Sequence, residues 1–209
     1  MHSSINIYKV YYLELFMSTN YFIIDIEVCP IKLEKYEELG EEERLKLLNP
    51  IDSKVIAIGI RHLGQNKIFF SENEKEMLGE FWKEWEKLKQ IDQYSTQIVG
   101  FNICNFDLPF LVSRSLINNV TISPFLLKSI IDLREKINAY RYGKTRGKLK
   151  DYALLLGLDT ENMDGSEVAK VCIQKDWEKL KKYLAKDLEI TDELYKRARD
   201  TRILEINRW

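Results

Sequence analysis

Two hydrophobic periods run along this chain and predict its secondary structure. Short runs rich in Ile, Val, Phe and Tyr are typical of strands, and apolar residues at helical spacing are typical of amphipathic helices. Strands are predicted at Tyr21–Val28, Lys54–Arg61, Asn66–Ser71, Gln97–Phe101 and Ser129–Leu133. The turn Leu63–Asn66 joins the second run to the third, which predicts an antiparallel hairpin.

Helices are predicted at Glu74–Gln90, Leu108–Leu116, Lys148–Leu156 and Trp177–Ala198. The charged segment Ile31–Asn49 leans towards helix and is expected to connect two strands. Strands come first and then alternate with helices, which favours an α/β fold with a mixed sheet. We expect five strands, three antiparallel and then parallel ones, flanked by helices.

Composition indicates one folded domain but does not indicate what the protein binds. A chain of 209 residues with 45% hydrophobic content is long enough for one buried core, which we place at residues 17–209. Residues 1–16 are expected to form a flexible N-terminal extension or a packing arm, because charged Lys9 and Glu14 interrupt any signal-peptide pattern. No run is long enough to span a bilayer. The formal charge of −1 gives no global indication of a polyanionic partner.

Cysteine and histidine are too few for several kinds of site. The three cysteines lie far apart without a Cys-x-x-Cys pair, which argues against a disulfide framework and a zinc site. The two histidines leave almost no material for histidine-based catalysis. We therefore expect an intracellular, reducing, cytoplasmic environment.

The first predicted strand carries two acids that need a partner. Asp25 and Glu27 lie two residues apart near its end, and therefore on one face, among bulky apolar residues. Two buried carboxylates repel each other, and a divalent cation would stabilise both ionised forms. The alternative is a strand end at which the acids reach solvent or meet Lys and Arg.

Two later segments carry acids in similar surroundings. Asp107 follows the strand that ends near Asn102, and acids at the carboxyl ends of neighbouring strands are expected to converge. Tyr183 and Asp187 lie one turn apart on the apolar side of the last helix. Taken alone, Asp187 is better explained as an edge residue paired with a neighbouring lysine, and only the company of Asp25, Glu27 and Asp107 favours a shared site.

Three ordered motifs carry a resemblance to a known family. Asp-Ile-Glu at 25–27, Asn-x-x-x-Phe-Asp at 102–107 and Tyr-x-x-x-Asp at 183–187 resemble the DEDD 3'-5' exonuclease superfamily. Position 182 is Lys rather than His, which matches the tyrosine variant. The similarity extends over roughly residues 21–197 and is to the proofreading exonuclease domain of family-B DNA polymerases and its small stand-alone relatives. It implies an RNase H-like fold and two divalent metals.

The resemblance also implies a role for each acid. Asp25 would bridge both metals, Glu27 and Asp187 would complete the first site, and Asp107 would hold the second metal directly or through water. Tyr183 would orient the attacking water, since a phenol with a pKa of about 10 is a poor base at neutral pH. Hard oxygen ligands suit Mg²⁺ or Mn²⁺, and two metals about 3.5–4 Å apart suit phosphodiester hydrolysis.

The clearest basic stretch is predicted to contact substrate. The segment 140–148 is flanked by tyrosines and punctuated by Gly, which suits a loop that meets phosphates, although a solvated loop has the same composition. Its cationic residues are Arg141, Lys144, Arg146 and Lys148. Gly143-Lys144-Thr145 is not a P-loop, because Asn138 stands where that motif needs Gly.

Asn102 and Phe106 resemble family positions near the 3'-terminal nucleotide, where the amide would form hydrogen bonds and the ring would pack on the base. Phe106 could equally be a core residue. The predicted function is a metal-dependent 3'-5' exonuclease acting on single-stranded DNA or unpaired 3' ends. A 3'-5' exoribonuclease, or a noncatalytic nucleic-acid-binding subunit of a replication or repair assembly, remains the alternative.

Overall fold

A five-stranded mixed sheet is the centre of the fold. The computed structural model describes residues 20–33, 36–91, 96–141, 147–160 and 165–207. Within them the strands are β1 (Tyr21–Pro30), β2 (Ser53–His62), β3 (Gln65–Phe70), β4 (Gln97–Gly100) and β5 (Ile130–Asp132). The spatial order is β3-β2-β1-β4-β5. The extension predicted for residues 1–16 lies outside the described residues.

Strand directions confirm the predicted topology. β1, β2 and β3 are antiparallel neighbours, whereas β4 is parallel to β1 and β5 is parallel to β4. Leu63 and Gly64 join β2 to β3, and both have positive φ, 48° and 78°. Such a two-residue turn follows the right-handed twist of a hairpin. It is shorter than the four-residue turn predicted from sequence, because Gln65 and Asn66 already belong to β3.

Helices cover both faces of the sheet. The described residues contain α1 (Glu41–Lys46), α2 (Glu74–Ile91), α3 (Asp107–Ile117), α4 (Leu133–Ile137), α5 (Leu149–Leu155), α6 (Val168–Gln174) and α7 (Trp177–Asp200). Short 3-10 turns occur at Tyr36–Glu38, Leu127–Ser129, Gly165–Glu167 and Ile203–Glu205. The four helices predicted from periodicity are α2, α3, α5 and α7. The short helices α4 and α6 were not predicted, because one or two turns carry too few apolar repeats.

One face of the sheet packs against α2 and α3. Phe22, Ile24 and Ile26 of β1 meet the tryptophan-rich side of α2, where the ring centroids of Phe22 and Trp85 are 5.4 Å apart. Trp82 donates its indole Nε1–H to Ser115 Oγ at 2.8 Å. The Trp-rich stripe is therefore core packing, as its helical spacing predicted.

A buried ion pair joins α2 to α3 away from the acidic motifs. Arg114 donates from Nη2 to Glu74 Oε2 at 2.6 Å and from Nε to Glu74 Oε1 at 2.9 Å. Glu74 also accepts the backbone N–H of Val55 and an amide N–H of Asn118. A buried carboxylate with this many donors is compensated by protein groups alone.

The other face packs against α7, which approaches β2 closely. A Cβ atom on Gly59 would lie 2.6 Å from Leu188 Cδ1 and 3.1 Å from Leu184 Cγ. Glycine therefore permits α7 to pack at this distance. Asp25 is paired with Gly59 across the ladder, so the close approach brings α7 next to that part of β1.

β1 extends beyond its parallel neighbour. Its ladder with β4 in the described residues covers only Tyr21 to Ile23, and β1 itself continues to Pro30. Asp25 and Glu27 are therefore in the middle of the strand, which corrects the prediction that they lie near its end. Along this part of β1 the neighbouring position is not occupied by β4, because β4 ends at Gly100. The register with β2 also shifts between Glu27 and Val28.

His62 Nε2 lies 3.0 Å from Asn20 Oδ1, one residue before the start of β1. Cys29, Cys104 and Cys172 are free thiols. Among the helices of the described segments, we find none with the length and apolar character required to cross a membrane.

Candidate active site

Three acids from distant parts of the chain lie together at the open part of β1. Asp25 and Glu27 project from one face of β1, and Asp187 comes from α7. One carboxylate oxygen of each lies within 4.8 Å of the others. Glu27 is 7% exposed, so this is an unusual concentration of buried charge. The arrangement could hold one hard cation on oxygen ligands.

Asp107 stands beside this group but is not part of the cluster of three. It is the first residue of α3 and is 2% exposed. Its Oδ1 accepts a hydrogen bond from the backbone N–H of Ile26 at 3.1 Å. That N–H lies between the two acids of β1, so the bond takes the place that a continued β4 would occupy. The sequence motif containing Asp107 is thus brought to the Asp25–Glu27 pair.

Burial and mutual repulsion raise the pKa values of these acids. The pKa of Asp25 is well above its ordinary value because of burial and the charges of Asp107, Asp187 and Glu27. The pKa of Glu27 is raised by burial, Asp187 and Asp107. Burial raises the pKa of Asp107 to about 7, although backbone N–H groups, including that of Ile26, oppose the shift. Protein groups leave the charges under-compensated, which is the condition that a divalent cation relieves.

Tyr183 lies one turn before Asp187 on α7. Its hydroxyl forms a side-chain hydrogen bond with Asp187. Burial raises the pKa of Tyr183, and the charges of Asp187, Glu27 and Asp25 raise it further. The phenol is therefore neutral at physiological pH and acts as a hydrogen-bond donor. Compared with the ordinary pKa of about 10, the raised pKa of Tyr183 leaves still less phenolate to act as a base at neutral pH.

A cleft of about 640 Å³ opens over the acids. Its volume falls in the range of small-molecule sites, about 300–1,000 Å³. Asp25, Glu27, Tyr183 and Asp187 line it together with residues of α1, α5 and α6. The cationic side chains at the cleft are those of Arg44, Lys148, Lys150 and Lys170. The helices α1 and α6, which sequence periodicity did not define, therefore contribute to its walls.

The predicted substrate residues are distributed unevenly around this cleft. Phe106 and Lys148 line it, whereas Asn102 and Arg141 are described residues that do not. The side-chain Oδ1 of Asn102 accepts a hydrogen bond from Arg134 Nη1 at 3.3 Å. Arg141 is exposed. Two further predicted contacts, Lys144 and Arg146, lie outside the described residues.

Asp132 is a buried acid near the site that the sequence analysis did not identify. It ends β5 and is 3% exposed. Its carboxylate caps α4 by accepting the backbone N–H groups of Arg134 and Glu135. It also accepts the backbone N–H groups of Asn102 and Cys104. An acid directly after an apolar run is an N-cap signal that could have identified the helix start, but the link to Asn102 is visible only in three dimensions.

Comparison with known proteins agrees with this geometry. Residues 52–202 match the model of a family described as a predicted 3'-5' exonuclease related to the exonuclease domain of PolB. The chain belongs to this family. The matched part of this PolB-related family member contains Asp107, Tyr183 and Asp187, and the Asp25–Glu27 pair precedes it.

Two individual proteins extend the comparison. An uncharacterized protein of Methanocaldococcus jannaschii is 33% identical to this PolB-related family member, over 76% of this chain and 93% of the relative. The family B DNA polymerase of the hyperthermophilic archaeon Pyrobaculum calidifontis superposes with a TM-score of 0.65 at 18% identity. The alignment covers 88% of this chain but only 25% of the polymerase, so the chain spans about a quarter of its length. The similarity confirms the RNase H-like α/β fold.

Proposed function

We propose that this PolB-related family member is a metal-dependent 3'-5' exonuclease that acts on single-stranded DNA or unpaired 3' ends. The observation that supports this most is the convergence of Asp25, Glu27 and Asp187 within 4.8 Å, beside Asp107 and at a cleft. A noncatalytic binding module would have no use for buried carboxylates that repel one another. The reaction is hydrolysis of the terminal phosphodiester, which releases a nucleotide and leaves a shortened strand.

Two divalent cations, Mg²⁺ or Mn²⁺, are the proposed cofactors. The donor set fits them, because it consists of carboxylate oxygens whose pKa values are raised by burial and mutual repulsion. Asp25, Glu27 and Asp187 would hold one cation, and Asp107 together with Asp25 would hold the other. When bound, the cations would lower the pKa of the attacking water and stabilise charge on the phosphoryl and leaving oxygens.

Tyr183 is proposed to orient the attacking water by its hydroxyl. Its raised pKa keeps the phenol protonated, so it does not remove a proton from the water. The single O–H is donated to Asp187, one turn later, and the phenol oxygen is left to accept a hydrogen bond from the water. The pair therefore positions water next to the acids.

The cleft supports a nucleic-acid substrate. Lys148 is exposed in it and is proposed to contact the phosphate backbone. Phe106 lines the same space and is proposed to pack on the terminal base, as aromatic side chains do with unpaired bases. Asn102 is proposed to form hydrogen bonds at the 3'-terminal nucleotide, and Arg141, Lys144 and Arg146 are proposed to contact phosphates. Unpaired ends are favoured by the relationship of this family to the exonuclease domain of PolB.

The proposal is tested by digestion of 5'-labelled oligonucleotides. Single-stranded DNA, duplexes with matched or mismatched 3' ends, and RNA are incubated with Mg²⁺, Mn²⁺ or EDTA. We expect a ladder that shortens from the 3' end, that is absent in EDTA, and that is absent for Asp25→Ala. RNA degraded faster than DNA would make the protein an exoribonuclease. Internal cleavage or metal-independent products would refute the assignment.

The Tyr183→Phe variant tests the orienting role. We expect turnover to fall by roughly 10–100-fold, as for other residues that act beside metal ligands, while calorimetric affinity for Mn²⁺ stays nearly unchanged. Tyr195→Phe is the matched control, because Tyr195 lies on the same helix and donates to Gln97 Oε1 at 2.8 Å. That control should retain turnover. Loss of Mn²⁺ binding in Tyr183→Phe would show that the orienting role is wrong.

A further inference from the structure

Asp132 accepts hydrogen bonds from two backbone segments, the loop before α3 and the first turn of α4. Its Oδ1 accepts the N–H of Asn102 at 3.0 Å and the N–H of Arg134 at 3.0 Å. The same oxygen accepts the N–H of Glu135 at 3.3 Å, and Oδ2 accepts the N–H of Cys104 at 3.1 Å. One buried carboxylate thus holds the start of α4 and the loop 101–106 at once.

The loop 101–106 has little other support from the sheet. β4 ends at Gly100, and Asn102 has a left-handed φ of 64°, which is uncommon for a residue with a side chain. The backbone carbonyl of Asn102 accepts the N–H groups of Asn105 and Phe106. The loop is therefore a compact turn anchored at Asn102, with Ile103 buried in the core, and Asp132 accepts two backbone N–H groups of its first half.

This turn leads directly into Asp107. The N–H of Leu108 donates to the carbonyl of Ile103 at 3.0 Å, so the first turn of α3 is attached to the same loop. At the other end, Asp107 reaches the N–H of Ile26 in β1. A continuous hydrogen-bonded path therefore runs from Asp132 through the loop to Asp107 and the acid-bearing strand.

We propose that Asp132 is a positioning residue that sets the location of Asp107 relative to Asp25. The inference rests on the proposed function, because it assigns Asp107 to the second cation. Asp132 itself touches neither substrate nor cation. Loosening the loop moves Asp107 away from Asp25 and weakens the cation site that these two residues share, while the site formed by Asp25, Glu27 and Asp187 is retained.

Two substitutions separate this role from capping of α4. Asn and Ser cap helices about as well as Asp, so Asp132→Asn and Asp132→Ser both retain the start of α4. In Asp132→Asn the single amide oxygen can take the place of Oδ1, and the NH₂ group in the place of Oδ2 cannot accept the N–H of Cys104. The shorter Ser side chain does not reach the loop. The matched control is Glu74→Gln, which replaces another buried carboxylate that accepts a backbone N–H, that of Val55.

The test measures Mn²⁺ binding by calorimetry and by electron paramagnetic resonance, with thermal unfolding recorded for each variant. The wild-type protein is expected to bind two Mn²⁺ ions. Both Asp132 variants should bind one of them about 10–100-fold more weakly, and their half-maximal Mn²⁺ concentration for hydrolysis should rise accordingly. Glu74→Gln should lower the unfolding temperature without changing Mn²⁺ affinity.

The outcomes distinguish this inference from the proposed function. If both Asp132 variants bind Mn²⁺ as the wild-type protein does, or if Glu74→Gln weakens binding equally, Asp132 has only a structural role. If the wild-type protein binds no divalent cation, the proposed function fails as well. If one Asp132 variant does not fold, the other gives the same comparison. If both fail to fold at a temperature at which Glu74→Gln folds, Asp132 contributes to stability alone and the inference is overturned.

Discussion

The Asp25→Asn variant is expected to lose exonuclease activity and, without metal, to unfold at a higher temperature than the wild-type protein. Asp25 is the acid on which the charges of Asp107, Asp187 and Glu27 all act. Activity should fall on the order of 1,000-fold or more, because even the loss of a residue that only hydrogen-bonds to a metal ligand lowers activity about 10–100-fold. Each ~1 kcal/mol of relieved repulsion should raise the Tm by about 2–4 °C for a domain of this size.

A matched control gives the opposite pair of results. Asp192, which lies on α7, is a buried acid like Asp25. Unlike Asp25, it has strong donors: Arg61 donates to its Oδ2 at 2.9 Å and Tyr21 to its Oδ1 at 2.8 Å. Burial raises its pKa, but hydrogen bonds from Arg61, Tyr21 and Lys196 outweigh burial and hold the pKa below its ordinary value. Asp192→Asn should therefore lower the Tm and leave most of the activity. The interpretation is wrong if Asp25→Asn destabilises the metal-free protein as Asp192→Asn does.

Metal-free protein is expected to become less stable as the pH rises from about 5.5 to about 7, in contrast to proteins whose acids are salt-bridged. Asp107 has a pKa of about 7 in the folded state against 3.8 ordinarily, and the pKa values of Asp25 and Glu27 are also raised. Between these values the native state binds protons that the unfolded state has released. Stability is therefore lost as the acids ionise.

Scanning calorimetry in EDTA and in Mn²⁺ tests this dependence. We expect the Tm in EDTA to fall by about 4–8 °C for a loss of ~2 kcal/mol, and the gain from Mn²⁺ to be larger at high pH. His62 acts in the opposite direction, because burial lowers its pKa. The comparison with and without Mn²⁺ at each pH removes that contribution, since His62 is not in the acid cluster. A metal-induced gain that does not vary with pH would contradict the prediction.

The main elements were predictable from local patterns. The five strands and the helices α2, α3, α5 and α7 each carry enough apolar positions to define a period. The boundaries differed by a few residues, as at β1, which runs to Pro30 rather than Val28. Hairpin and alternation rules then sufficed for the order of directions in the sheet, because few topologies satisfy them.

The features that shape the candidate site depended on contacts between distant residues. α6 places Val168 and Ala169 at the cleft, although its two turns carry no clear signal in the sequence. Gly59 admits α7 to the sheet, but its neighbours in the chain do not show that Leu188 will lie above it. From the sequence, Asp132 is predicted to lie near the end of a strand. Its hydrogen bonds to the backbone of Asn102 and Cys104 join residues that are about thirty positions apart in the chain.

The sequence by itself determined which residues are proposed to carry the chemistry. Asp25, Glu27 and Asp187 were identified because an acid is costly on an apolar face, which is a local property of each segment. Asp107 and Tyr183 were identified from the ordered motifs that contain them. The tertiary structure alone decided how they are arranged. It grouped Asp25 and Glu27 with Asp187, turned Asp107 towards the N–H of Ile26, and opened the cleft where β4 ends. Those distances result from packing between segments remote in the chain, which no local period encodes.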